Sequence, residues 1–102
     1  LNYIKANAHR SISIEDIANH ISISRAHLYR IFQKELSIAP GEYLIRYRIN
    51  NACKMLTNTK FTIKVIAYSL GFESPLYFSR VFRKRMGMSP GQYRKKNSTN
   101  QN

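Results

Sequence analysis

Acidic residues are scarce in this sequence: 5 Asp and Glu stand against 17 Lys and Arg over 102 residues, a formal net charge of +12. Such an excess is typical of a chain that meets a polyanion, either a nucleic acid or an acidic membrane surface. No apolar run approaches the roughly 18 residues that a membrane span needs. A membrane-surface binder would leave apolar faces open to lipid, whereas each apolar stripe here has a partner within its own half of the chain. The sequence therefore favours a packed bundle with no membrane role.

Cysteine is almost absent, because Cys53 is the single one. An internal disulfide is thereby excluded, which fits a reducing compartment and predicts a cytoplasmic protein. The histidines His9, His20 and His27 have no metal-ligand spacing with one another or with Cys53. The few carboxylates offer no evident acid–base pair, and no Gly-rich phosphate loop occurs. We therefore predict no enzymatic activity, no metal and no cofactor.

Glycine and proline are also few, 4 and 3 residues respectively, and fall late or at joints. Apolar residues recur at three- and four-residue steps with few alternating runs, which predicts an all-α fold of about seven helices. The helices are expected near residues 1–8, 14–21, 25–36, 41–57, 63–70, 75–86 and 90–96. Residues 97–102 are polar and lack periodicity, so we predict a disordered tail there.

The sequence contains a repeat. The stretch SIEDIANHISISRAHLYRIFQKELSIAPGEYL aligns with TIKVIAYSLGFESPLYFSRVFRKRMGMSPGQYR, after one extra residue in the second copy. A solenoid needs about three or more repeats, so two copies predict a duplicated small module. We expect a first helix-turn-helix subdomain at 1–40, a linker helix at 41–57 and a second helix-turn-helix subdomain at 58–96, followed by the tail.

Each copy is expected to hold a short helix, a tight turn and a longer helix. The predicted N-caps of these helices are Ser13, Thr62, Ser24 and Ser74. The pair Ser89 and Gln92 reads as a capping box at the start of the last helix. Gly71 supplies the turn residue of the second copy, where the first copy has Ser22.

The longer helix of each copy has two faces. The apolar face, predicted to lie in the core, consists of Leu28, Ile31, Phe32 and Leu36 in the first copy and Phe78, Val81, Phe82 and Met86 in the second. The opposite face carries Ala26, Tyr29, Arg30 and Gln33 in the first copy and Leu76, Ser79, Arg80 and Arg83 in the second. Because a helix-turn-helix inserts its second helix into the DNA major groove, these opposite faces are the predicted contact surfaces.

Two kinds of DNA contact are expected from these surfaces. The candidates for base reading are Ala26, Tyr29, Arg30, Leu76, Ser79 and Arg80. An arginine places two N–H donors on O6 and N7 of guanine, and an apolar side chain contacts the thymine methyl group. The candidates for phosphate contacts, which position the protein without specifying sequence, are Arg25, Gln33, Lys34, Tyr77, Arg83, Lys84 and Arg85. The linker helix spans about 25 Å, so the two longer helices can enter successive major grooves about 34 Å apart.

The whole pattern resembles the DNA-binding domain of AraC/XylS-type transcription regulators. The most specific stretch is IAYSLGFESPLYFSRVFRKRMGMSPGQYR, and the resemblance covers nearly the whole chain, from Leu1 to Lys96. It implies a bipartite helix-turn-helix domain that binds double-stranded DNA. Members of this family usually carry a separate effector-binding or dimerisation domain. The resemblance and the absence of an initial methionine therefore imply a monomeric fragment of a longer protein, with the effector bound by a domain absent here and RNA polymerase as a partner of the full-length protein.

The sequence departs from the family pattern at four positions. Ser22 and Ser37 stand where many members have glycine, and Ala26 and Leu76 stand where some members have polar side chains that contact bases. These departures leave the fold intact and the base readout open. The alternative function is a cationic module that binds nucleic acid without sequence preference, since charge alone suffices for such binding.

Overall fold

Six helices are found in the described part of this computed structural model, which comprises residues 2–8, 16, 19–20 and 24–97. They are α1 (Asn2–Asn7), α2 (Arg25–Leu36), α3 (Pro40–Asn58), α4 (Ile63–Ser69), α5 (Pro75–Met86) and α6 (Pro90–Asn97). No strand occurs among these residues, so the predicted all-α class is confirmed. The helix predicted at 14–21 lies outside the described residues, apart from the helical Asp16, Asn19 and His20. The predicted cap Ser13 and turn residue Ser22 also lie outside them.

Side-chain caps begin four of the helices, as the sequence predicts. Each N-cap hydroxyl accepts a hydrogen bond of 3.0 or 3.1 Å from the backbone N–H three residues later; these caps are Ser24, Thr62 and Ser74. In the capping box, Ser89 N donates to Gln92 Oε1 at 2.9 Å and Gln92 N donates to Ser89 Oγ at 3.1 Å. These bonds satisfy first-turn N–H groups that have no partner within the helix. The starts of α2, α4, α5 and α6 are therefore determined by local sequence.

The longer helix of each unit ends at a left-handed residue. Gly87 has φ 76° after α5, and Ser37 has φ 59° after α2. Their N–H groups donate to the carbonyl groups of Arg83 and Gln33 respectively. Glycine adopts this conformation freely, whereas serine does so at a cost of about 1 kcal/mol. Gly71 has φ 88°, which agrees with the turn predicted between α4 and α5.

Two apolar clusters lie side by side along α3. The first consists of Ala8, Leu28, Phe32 and Leu44, with Leu36, Tyr43 and Tyr47 packed against it. The second consists of Ile49, Ala52, Leu56, Ile66, Ala67, Leu70, Phe72, Phe78 and Phe82. The first half of α3 supplies Leu44 to the first cluster, and the second half supplies Ile49, Ala52 and Leu56 to the second. The linker helix α3 therefore packs against both units and supports both α2 and α5.

Ile31 departs from the predicted core face of α2. Leu28 and Phe32 are buried, but 39% of the Ile31 surface is exposed. Leu28, Phe32 and Leu36 are four residues apart and follow one stripe along the helix, whereas Ile31 lies at the edge of that stripe, about 60° from Leu28 and about 100° from Phe32 around the helix axis. The prediction that Ile31 is a core residue was therefore wrong, although its counterpart Val81 does pack against the second cluster.

The last helix is attached to the end of α3 by one arginine. Arg94 Nε donates to the carbonyl of Leu56 at 3.0 Å, and its Nη2 donates to the carbonyl of Thr59 at 3.3 Å. Carbonyl groups at the end of a helix lack partners within it, so Arg94 satisfies two of them while it closes the second unit. Asn97, which the sequence placed in the tail, is the last residue of α6; residues 98–102 lie outside the described part.

Candidate nucleic-acid interface

The outer face of α2 is the first candidate contact surface. It consists of Ala26, Tyr29, Arg30 and Gln33, all of them exposed; we call this set the first recognition face. Leu28 and Phe32 on the opposite side are buried in the first cluster. The exposure agrees with the sequence-based assignment of the two faces, and the individual DNA contacts stay predictions. Arg25, at the start of the same helix, and Lys34, near its end, are exposed as well.

The outer face of α5 is the second candidate surface. Leu76, Arg80 and Arg83 are exposed and Ser79 is half-buried; these four residues form the second recognition face. Leu76 is 70% exposed, so a large apolar side chain stands in water at the start of the helix. An exposed leucine at this place suits contact with an apolar group of a ligand, such as a thymine methyl. Tyr77 beside it is also exposed, and its ring contacts Phe72 at a centroid distance of 6.0 Å.

Positive charge is concentrated at the end of α5. Its last turn carries Arg83, Lys84 and Arg85, while the last turn of α2 carries Lys34. Cations near a helix C-terminus are stabilised by the partial negative charge of the free carbonyl groups. A groove between α3 and α5 is lined by Ile45, Tyr77, Arg80, Val81, Lys84 and Arg85. The second recognition face therefore borders a cationic groove that matches the charge of a phosphate backbone.

Arg85 has a carboxylate partner that the sequence did not predict. Its Nη1 and Nη2 atoms donate to Glu42 Oε2 and Oε1, each at 2.6 Å. Arg46 Nε donates to the same Oε2 at 2.8 Å. The hydrogen bonds from Arg85 and then Arg46 lower the pKa of Glu42 from its ordinary 4.5 to about 2. The four-residue spacing of Glu42 and Arg46 was the local signal for part of this cluster, but nothing local pointed to Arg85, 43 positions away.

Arg48 is another side chain whose place the sequence did not reveal. It is the buried charged residue of α3, with 7% of its surface exposed, and burial lowers its pKa. Its guanidinium carbon lies 5.5 Å from the centroid of the Phe72 ring. Phe72 also contacts Tyr77. Arg48 therefore supports the start of α5 through the Phe72 ring. The charge of Arg48 therefore lies in the interior of the molecule, where it contacts Phe72, and not on the exposed surface.

Metal sites and membrane spans are both absent from the described residues. Within residues 2–8, 16, 19–20 and 24–97, no three His, Cys, Asp or Glu side chains come together where they could hold a metal ion. Over the same part of the chain, no helix has both the length and the apolar character needed to cross a membrane. The two recognition faces and the cationic groove are the candidate functional surfaces of the described residues.

Comparison with known proteins identifies the family of this chain. A family model described as a helix-turn-helix domain matches residues 17–96. Over 94 residues the chain is 36% identical to the lactose operon transcription activator of Staphylococcus xylosus, a match that covers 92% of this chain and 34% of that protein. The chain spans about a third of the length of the curated relatives it matches.

Solved structures agree in fold. The C-terminal domain of AraT, a response regulator from Geobacillus stearothermophilus, superposes with a TM-score of 0.93 at 32% identity, over 98% of this chain and 84% of that one. The DNA-binding domain of AdpA, a global transcriptional factor solved in complex with a target DNA, superposes with a TM-score of 0.84 at 28% identity, over 91% of this chain and 83% of that one. The chain therefore belongs to the helix-turn-helix family of AraC-type DNA-binding domains.

Proposed function

We propose that this chain binds a specific sequence of double-stranded DNA, with α2 and α5 in two adjacent major grooves. The observation that carries the proposal is the pair of two-faced helices on a shared support. Each has its apolar side in its own cluster and a polar or basic side in solvent. The 19 residues of α3 span about 28 Å, a length comparable to the turn of about 34 Å between successive major grooves.

The recognition faces supply the side chains for base reading. Arg30 and Arg80 occupy equivalent places in the two faces and donate bidentate hydrogen bonds to guanine. Tyr29 and Ser79 have hydroxyl groups for hydrogen bonds to base edges, and Ala26 and Leu76 contact thymine methyl groups. The operator accordingly has two short motifs, one for each face.

Phosphate contacts come from the ends of the same helices. Arg25, Gln33 and Lys34 serve the first helix, and Tyr77, Arg83 and Lys84 serve the second; Arg85, the remaining candidate from the sequence, is bound to Glu42. Such contacts fix orientation and register without reading sequence, and each releases counterions, which makes the affinity fall steeply with salt. The net charge of +12 supports this electrostatic part of the binding.

The organisation of the chain and of the longer protein follows from this role. The two reading subdomains are residues 1–40 and 58–96, joined by residues 41–57 of α3, and the chain alone is a monomer. In the full-length regulator, another domain binds the effector, and the assembly acts on RNA polymerase. Relatives about three times as long, one of them named as a transcription activator, support this arrangement. Binding to chromosomal DNA sets its place of action in the cytoplasm.

The test is the selection of bound sequences from random duplexes, followed by titration of the recovered sites by fluorescence anisotropy at several salt concentrations. We expect two short motifs about one helical turn apart, bound at least about a thousandfold more tightly than random DNA. If no sequence is enriched and the affinity depends on salt alone, the chain is a nonspecific cationic binder and the proposal fails.

A further inference from the structure

The bidentate pair between Glu42 and Arg85 joins two elements that lie far apart in the chain. Glu42 is in the first turn of α3, and Arg85 is in the last turn of α5. Both terminal nitrogens of the guanidinium are bound to the two carboxylate oxygens at 2.6 Å, in two parallel hydrogen bonds. This fork-to-fork arrangement constrains the direction as well as the distance between the side chains.

The pair also crosses from one unit to the other. Tyr43 and Leu44, which follow Glu42, belong to the first cluster, whereas Phe82 and Met86, on the same helix as Arg85, belong to the second. The contact therefore connects the first-unit half of α3 with the recognition helix of the second unit. The helix α3 lies along both clusters, and a helix can bend. The Glu42–Arg85 pair adds a point of attachment away from the axis of α3.

Glu42 is an acidic residue beside the cationic groove, where a negative charge opposes DNA binding. Glu42 is one of 5 acidic residues in a chain of net charge +12, and it lies at the edge of the cationic groove because Arg85 lines that groove. Both side chains are about one-third exposed, 31% for Glu42 and 30% for Arg85. Exposed pairs of this kind contribute little to stability. The main contribution of this pair is therefore geometric, and its contribution to stability is small.

We propose that Glu42 is a positioning residue that holds α5 at a fixed angle and distance from α2, and so sets the spacing between the two DNA motifs that the chain accepts. The proposal rests on the proposed function, since it needs two motifs to be bound at once. Two linked binding modules gain affinity from each other only when their geometry permits simultaneous contact. Arg85, with both terminal nitrogens on Glu42, then serves this geometry and makes no phosphate contact.

The experiment compares Glu42→Gln with Glu35→Gln. Glu35 is exposed near the end of α2 and is the repeat equivalent of Arg85, so both variants remove the same charge. The probes are the duplex selected for the wild type, the same duplex with one or two base pairs inserted or deleted between the motifs, and duplexes with a single motif. Circular dichroism and thermal unfolding establish that each variant is folded.

The two variants are expected to have different effects on DNA affinity. Removal of a negative charge strengthens binding to every duplex through electrostatics, and Glu35→Gln is expected to show only that effect. Glu42→Gln is expected to bind the correctly spaced duplex about tenfold more weakly than Glu35→Gln does, with equal affinity for single motifs and a flattened preference among spacers. Arg85→Lys, which keeps the charge and loses the fork, is expected to flatten the spacer preference as well.

The failures are distinguishable. If Glu42→Gln keeps the wild-type spacer preference and simply binds every duplex more tightly, as Glu35→Gln does, this proposal is overturned and the proposed function stands. If Arg85→Lys keeps the wild-type spacer preference and Glu42→Gln does not, the two parallel hydrogen bonds between Arg85 and Glu42 do not set the spacing. The proposal is again overturned. A wild-type chain with no preference among spacers would overturn the proposed function, and this proposal with it.

Discussion

Arg48 Nε donates a hydrogen bond of 2.8 Å to the backbone carbonyl of Ala8. Ala8 follows α1 and belongs to the first apolar cluster, while the ring of Phe72, which lies against the same guanidinium, belongs to the second. One buried cation on α3 therefore touches both units. Guanidinium groups suit such a place, because they are weakly hydrated and stack on aromatic faces.

Arg48→Ala is expected to lower the free energy of unfolding by about 2–3 kcal/mol. The variant leaves the carbonyl of Ala8 buried without this donor and removes the contact with Phe72. Urea unfolding followed by circular dichroism measures the change. Lys54→Ala, an exposed position on the same helix, is the control and is expected to stay within about 0.5 kcal/mol of the wild type. Equal losses in the two variants would show that Arg48 has no special structural role.

Arg80→Ala is expected to weaken binding to the selected duplex by about 1–3 kcal/mol, with a much smaller effect on random DNA. The reason is its central position on the second recognition face, where a bidentate contact to guanine distinguishes one base pair from the others. Anisotropy titrations on both duplexes give the two losses. Lys95→Ala, on the exposed surface of α6, removes the same charge elsewhere. An equal loss on both duplexes would reassign Arg80 to phosphate contact.

Ser37→Gly and Gly87→Ser are expected to change stability in opposite directions. Ser37 has φ 59°, so glycine there relieves strain and raises the free energy of unfolding by about 0.5 kcal/mol after its larger entropy loss. Gly87 has φ 76°, and a Cβ built there would meet no atom within 4 Å. Gly87→Ser therefore tests the backbone conformation alone and is expected to cost about 1 kcal/mol. Thermal unfolding of both variants measures the effects; a destabilised Ser37→Gly would mean that the serine side chain matters more than its φ.

The stability that Glu42 contributes is expected to depend on pH at the acidic end. Its pKa is about 2 in the folded chain against an ordinary 4.5, so the unfolded state binds a proton more readily than the folded state. The contribution is present above pH 4.5, reaches its full value by about pH 5.5, and is lost as the pH falls towards 2. The thermal midpoints of the wild type and Glu42→Gln are therefore expected to differ by a constant amount above about pH 5.5 and to converge near pH 2. A difference that does not change with pH would contradict the ionic role of Glu42.

Local signals allowed most of the fold to be predicted from sequence. The caps Ser24, Thr62 and Ser74 act on N–H groups three residues away, and the stripes of α2 and α5 repeat every three or four residues. Both are visible in any short window of the chain. The boundaries predicted for α2 and α5 agree with the structure residue by residue.

Contacts between distant parts of the chain could not be predicted in this way. The partner of Arg85 is 43 residues away and that of Arg48 is 40 residues away. Both arginines look like any other cation of a basic chain until the units are packed together. Ile31 lies at the edge of the apolar stripe of α2, where helical position alone does not decide burial, since its counterpart Val81 packs against the second cluster.

The two copies of the repeat have a consequence for the DNA. Copies of one chain that pair as a symmetric dimer read the same motif twice, in a palindrome. Here the equivalent positions of the two recognition faces carry different side chains, Ala26 against Leu76 and Tyr29 against Ser79, and they are joined in one polypeptide. The binding site is then expected to be asymmetric, with a different motif at each end. Inverting it within a promoter would turn the bound protein end for end, so that the orientation of the site, and not only its position, would determine what the protein presents to its neighbours.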